Sequence, residues 1–367
     1  MWVEVFNDVI RPNVAYTPMD TVVLTDAALL QALDNLFSRY TKQDLLRQIS
    51  LFFLQVFAGL ADRDLLLVRF GTEGRAWLYR HIFCATEVEA AFKVVVLSLH
   101  VVHGSTPEDR QAVVDQLANV KKAAIQKVHH VSWAESQSKE ATIRKLKALR
   151  TLLWPPEELL TQDALAKMYA NFTKNESSVI GYFLDAHRNS RILRETEEYA
   201  EAFALPLNFL LPLANYHYIA NSVSIAVAAV SPPLYSPGGT AAMIYGGLGF
   251  RYATEMVRAL DPAGVRVDAD GHVVADGASR EPSAWKMAEA AKRSCLAPHY
   301  ESHFPEIPAL EVAYAAFQKA ASTQTTAFSF HESGFTEEQV VQTFFSYASN
   351  TSNHIRSAER YACARRE

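Results

Sequence analysis

The chain has 367 residues, 49% of them apolar, with 35 basic and 40 acidic side chains and a formal net charge of −5. That apolar content over that length buries one large core or two ordinary ones and excludes a disordered chain. The mixed charge, free of long single-sign runs, gives no electrostatic footprint for nucleic acid or an anionic membrane.

The longest apolar stretches, 51–61 and 219–230, fall well short of the ~20 residues a membrane-spanning helix needs. The first residues lack the basic start, apolar centre and small-residue cleavage site of a signal peptide. Trp2, Val5 and Phe6 stand at helical spacing, and Pro12 and Pro18 close that amphipathic start. Residues 24–40 predict a helix capped by Thr25 or Asp26, and 41–61 predict another capped by Thr41. Two more helices are expected over 63–102. Ser105 or Thr106 then starts a long helix through His130, with Pro107 in its first turn. A further helix follows Trp133, Pro155-Pro156 breaks the chain, and helices resume over 164–194. Asn171, Asn175 and Asn350 head glycosylation sequons, which matter only in a secreted protein.

Near Leu205 the character changes. Residues 211–230 carry β-branched and aromatic side chains in partial alternation and predict one or two strands. Ser231-Pro-Pro and Ser236-Pro-Gly-Gly punctuate a loop, and Tyr245-Gly-Gly-Leu-Gly predicts a tight turn. Residues 250–260 contain no breaker and predict a helix on which Thr254 and Arg258 stack four apart, with Glu255 beside them. That is the spacing at which H-E-x-x-H helices hold zinc and a general base, and here only the glutamate is present. Asp270-Gly271 marks a surface turn. A calcium loop starting at Asp268 fails, because its sixth position is not Gly and its twelfth, Ser279, is not an acid. Helices are expected over 283–300, 308–321 and 337–350.

Other chemistries find less support. His100 with His103, and His129 with His130, have no acid or Cys at ligand spacing. No Gly-x-Ser-x-Gly occurs, and Gly246, Gly247 and Gly249 lack the Lys-Ser/Thr of a phosphate cradle.

The stretch Pro232-Pro233-Leu234-Tyr235, then Tyr245-Gly246-Gly247-Leu248-Gly249, then Thr254-Glu255 and Arg258 to Asp261, resembles the active-site region of the neprilysin-like zinc endopeptidases, the M13 family. In that family a PP-F-F/Y stretch leads through Y-G-G-x-G into H-E-x-x-H-x-x-D. Glu89-Ala-Ala-Phe, Trp133 with Lys145, and Ala313-Tyr-Ala-Ala-Phe-Gln resemble further family motifs, so the likeness spans roughly 20–350. It implies a mainly helical α+β, two-lobed fold with a small sheet beside the zinc-site helix. It also implies an N-terminal-type domain over 1–204 and a shortened catalytic-type domain over 205–367, in a chain that looks like a truncated member.

The resemblance places Thr254 and Arg258 where the two histidine ligands stand. A gap-free count back from Ala313 places Ser302 at the third ligand and Glu306 at the acid behind it, and a one-residue shift presents Glu301 instead. Glu255 is then a vestigial general base, and no metal cofactor is expected where active members carry zinc. Arg258 is expected to replace the metal electrostatically in part, pairing with Glu255, Glu301 or Glu306. Leu213, Ala214, Asn215 and Tyr216 match the N-A-x-Y edge strand that binds substrate backbone, with Leu213 at the Asn position. His354 lies near the place of the family's oxyanion-stabilising histidine but lacks its neighbours. The resemblance further implies a Cys295–Cys363 disulfide, Cys84 left single, and an extracellular or cell-surface location. The expected function is a pseudo-metallopeptidase that binds peptides or an active relative. The alternative is an active zinc metalloendopeptidase cleaving small peptides.

Overall fold

A computed structural model describes residues 2–5, 7, 15–20, 26–132, 135–172, 178–274, 304–323 and 337–351. The chain divides into two units, Met1–Leu78 and Tyr79–Glu367. The first holds α1 (Trp2–Val5), α2 (Ala27–Arg39), α3 (Lys42–Ala61), α4 (Arg63–Phe70) and the start of α5 (Glu73–Ala91). Asp26 caps α2 by accepting from the Ala28 and Leu29 amides, and Thr41 caps α3 through the Asp44 amide at 3.2 Å. Large apolar side chains of these helices, Leu29, Phe37, Leu46 and Phe52 among them, are exposed.

The second unit continues with α6 (Lys93–Gly104), α7 (Pro107–His130), α8 (Ser136–Ala148), β1 (Arg150–Leu152), α9 (Gln162–Met168), α10 (Val179–Arg194) and α11 (Ala200–Ala204). The interval 63–102 therefore holds three helices rather than the expected two. Gly71, at φ 81°, ends α4 in the left-handed conformation that glycine adopts without strain. The second break falls at Phe92, between two inward-facing charges that fix the loop around 203–209. Lys93 Nζ donates to the Phe203 carbonyl at 2.8 Å and to that of Leu205, and the buried Glu89 carboxylate accepts from the Asn208 amide at 2.8 Å. Burial of the ammonium, against nearby Arg194, lowers the Lys93 pKa to about 8. Helix α7 begins with Thr106 in a full capping box with Asp109 and with Pro107 in its first turn.

The chain then forms β2 (Ala214–His217), β3 (Ser222–Ile225), α12 (Ala241–Ile244), α13 (Phe250–Val257), α14 (Glu306–Thr323) and α15 (Glu337–Thr351). The sheet order is β1-β3-β2. Strand β1 runs parallel to β3, with Thr151 opposite Val223, and β2 runs antiparallel to it, with Tyr216 opposite Val223. The protein is thus mainly helical, with one small sheet among the described residues, and one apolar core packs α13 against the sheet, α7, α14 and α15.

The glycine run corrects the sequence reading. Tyr245–Gly249 is not a tight turn but a π-helical turn that joins α12 to α13. Its glycines serve close approach: a Cβ on Gly246 would lie 2.4 Å from the Phe344 carbonyl oxygen, and one on Gly247 would lie 2.1 Å from that of Leu234. The Leu248 amide closes the second contact by donating to the Leu234 carbonyl at 2.8 Å.

Candidate functional site

Helix α13 is buried on nearly every side. Tyr252, Ala253 and Met256 are fully enclosed, and the Tyr252 hydroxyl lies 2.7 Å from Thr151 Oγ1 on β1. A helix so enclosed must satisfy its polar side chains locally or lose the desolvation energy of each. Thr254 does so by donating from Oγ1 to the Phe250 carbonyl of the preceding turn at 2.9 Å.

Glu255, only 4% exposed, is satisfied by two cations. Its Oε1 lies 3.2 Å from Arg251 Nη2, one turn earlier, and its Oε2 accepts from Arg258 Nε at 3.0 Å. These are i,i+4 and i,i+3 neighbours, so the helix itself brings the three together. Of the acids expected to pair with Arg258, Glu255 does so. Arg258 opens the 3₁₀ turn Arg258–Leu260, which ends at Asp261. Asp261 accepts from the Ala263 and Gly264 amides at 2.9 and 2.7 Å and from the Tyr218 hydroxyl at 2.6 Å. Burial and the Asp261 carboxylate, opposed by Arg258, push the Tyr218 pKa up to about 12.

Among the described residues, strand β2 forms the edge of the sheet beside this cluster. The side chains of Ala214 and Tyr216 serve the core: Ala214 is fully buried, and the Tyr216 hydroxyl donates to Asn221 Oδ1 at 2.9 Å. Asn215 is half-buried. Leu213 accepts from the Ala226 amide at 2.7 Å, so its carbonyl faces β3. By the alternation of an antiparallel pair, the backbone groups of Ala214 and Tyr216 face away from the sheet. The Ala214 carbonyl already has a partner there, since Arg251 Nη2 donates to it at 3.3 Å.

Arg251, Tyr218 and Lys145 were not singled out as site residues from the sequence. Lys145 is buried, donates to the Val267 carbonyl at 2.6 Å and to that of Gly264, and so anchors the segment after the 3₁₀ turn to α8. Burial lowers its pKa to about 8, against the opposing charges of Asp261 and Asp268. Asn221, at φ 43°, closes the β2–β3 connection and donates to the Lys145 carbonyl at 3.0 Å. The spacing of Arg251 to Glu255 was visible in the sequence. Tyr218 and Lys145 reach the cluster only through tertiary contacts.

Catalytic zinc takes three ligands from His, Cys, Asp or Glu and keeps one open position. Threonine and arginine supply neither histidine of such a set. The carboxylate between them is held by two guanidiniums, which would repel an incoming dication. The described residues of α13 therefore do not fit the metal. Glu306 lies half-buried in the first turn of α14. Glu301, Ser302, Cys295, Cys363, Asn175 and His354 lie outside the described residues. Cys84 is an exposed free thiol, and Asn171 is exposed. His100, His103, His129 and His130 are surface side chains. Asp268, Asp270 and His272 bring ligand atoms within 4.8 Å of one another, but Asp268 Oδ1 is engaged by the Asp270 and His272 amides in the turn at Gly271.

Two models of Peptidase family M13 match the chain, one over residues 1–154 and the other over residues 214–307. Neprilysin of Homo sapiens is 21% identical over 287 residues, which are 74% of this chain and 38% of that protein. An endothelin-converting enzyme homolog of Locusta migratoria is 22% identical over 285 residues, 74% of this chain and 35% of its own. The zinc metalloprotease Zmp1 of Mycobacterium tuberculosis, solved in complex with an inhibitor, superposes with a TM-score of 0.51 at 16% identity, over 76% of this chain and 44% of that one. At that identity the superposition speaks for the fold alone. The chain spans well under half the length of these relatives.

Proposed function

Because the chain belongs to peptidase family M13, we propose that it is a catalytically inactive pseudo-metallopeptidase that retains a peptide-binding edge at β2. The observation that carries this reading is the clasp of Glu255 between Arg251 and Arg258, with the Thr254 hydroxyl turned back into its own helix. A general base acts in this chemistry on water whose pKa the metal has lowered to about 7. Without that metal, Glu255 would face water with a pKa of about 15.7, and its own lone pairs are engaged by cations. What the site keeps is an edge strand with outward backbone groups and two cationic side chains, an arrangement suited to holding a peptide rather than cutting it. The location proposed with this function is extracellular or cell-surface, as for the neprilysin-like family. Among the described residues no helix is long and apolar enough to cross a membrane.

A fluorogenic peptide assay in excess zinc tests the proposal. The expected result is turnover no higher than that of buffer and unaffected by chelator. Chelator-sensitive turnover that rises with protein concentration and disappears in Glu255→Gln would overturn it in favour of an active zinc endopeptidase.

A further inference from the structure

We infer that the site recognises the carboxyl-terminal end of a peptide, whose last residues add to β2 as an antiparallel strand and whose terminal carboxylate is received by Arg251 and Arg258. This rests on the reading of the site as a peptide-binding edge, and adds which part of a peptide it takes.

The first support is the state of the edge itself. An added strand bonds to the outward groups of Tyr216 and then to those of Ala214. At Ala214 the carbonyl is already occupied by Arg251, so the incoming strand meets a guanidinium where it would otherwise offer a backbone N–H. A group that only accepts fits there, because it can take both the Ala214 amide and the guanidinium N–H groups. A carboxylate is such a group, and its pairing with guanidinium is charge-assisted.

The second support is direction. A strand antiparallel to β2 runs from the His217 end to the Ala214 end and delivers its carboxyl terminus to the arginines. A parallel strand would deliver its ammonium terminus to the same two cations, and charge disfavours it.

The third support is unused donor capacity. Two guanidiniums face one carboxylate, and that carboxylate is the buried member: the Glu255 side chain is 6% exposed, against 23% for Arg251 and 40% for Arg258. Asp261, the second carboxylate of the cluster, accepts from the Tyr218 hydroxyl and two backbone amides and balances the formal charge, so the preference for an acceptor rests on unused N–H groups rather than on net charge. Each guanidinium carries five N–H groups, and the described partners of each take only part of that set. The unfilled donor capacity therefore sits on the more exposed arms of the two arginines, where a carboxylate reaches it.

The test is fluorescence polarisation on the wild-type protein with a panel of octapeptides dye-labelled at the amino terminus, each made as the free acid and as the amide. The free acids are expected to bind about tenfold tighter or more, with the gap narrowing at high salt. In Arg258→Gln the preference for the acid is expected to shrink. Equal affinity of acid and amide would overturn this inference while leaving peptide binding in place. Binding of neither form would overturn the peptide-binding reading and this inference with it.

Discussion

Glu255 and its two arginines set what the α13 helix can do. A buried carboxylate without a partner is costly, and breaking a fully buried ion pair costs about 3–5 kcal/mol. Arg258 is partly exposed and Arg251 would stay on the other oxygen, so the expected loss in Arg258→Ala is smaller, about 1 kcal/mol after solvent screening. Urea unfolding measures it, and an unchanged midpoint would mean that Arg258 does not take the place of a cation in holding Glu255. The Arg258–Glu255 pairing was legible in the sequence because both lie on one short helix. The Arg251 contact has the same kind of spacing, but the H-E-x-x-H frame marks positions 254, 255 and 258 and leaves 251 unmarked. The hydroxyl of Tyr218 and the ammonium of Lys145 were not legible, because the groups they meet come from other elements.

At the scale of elements, caps and periodicity located the long helices well. Asp26, Thr41 and Thr106 each cap the helix that follows. The glycine run was misread for a physical reason. Glycine marks both a chain reversal and a close approach of two backbones, and only the position of the second backbone tells them apart. Here the second backbone belongs to Phe344 on α15 and to Leu234. Gly246→Ala should therefore lose about 1–3 kcal/mol or more through overpacking. Gly74→Ala, where a Cβ in α5 meets nothing within 4 Å, should lose nothing and gain up to about 1 kcal/mol. Urea midpoints of the two variants compare them directly. Equal tolerance at both sites would contradict the close approach of Phe344 to the π-helical turn.

Across the whole molecule, the fold was legible mainly because the residues around α13 carry a recognisable spacing. The mainly helical architecture, the small sheet and family membership all follow from it. The three-helix division of 63–102 was not legible, since the break at Phe92 depends on Glu89 and Lys93 reaching the loop around 203–209. The proposed function rests on a helix that carries a hydroxyl at Thr254 and a guanidinium at Arg258, four residues apart. On the function proposed above, an internal ion-pair cluster stands where active members of the family bind metal. Elemental analysis of zinc, on the full chain purified without chelator, equilibrated with micromolar zinc and then freed of unbound metal, tests it most directly. Zinc at background level is the expected result. One zinc per chain, lost together with stability when chelator is added, would contradict it.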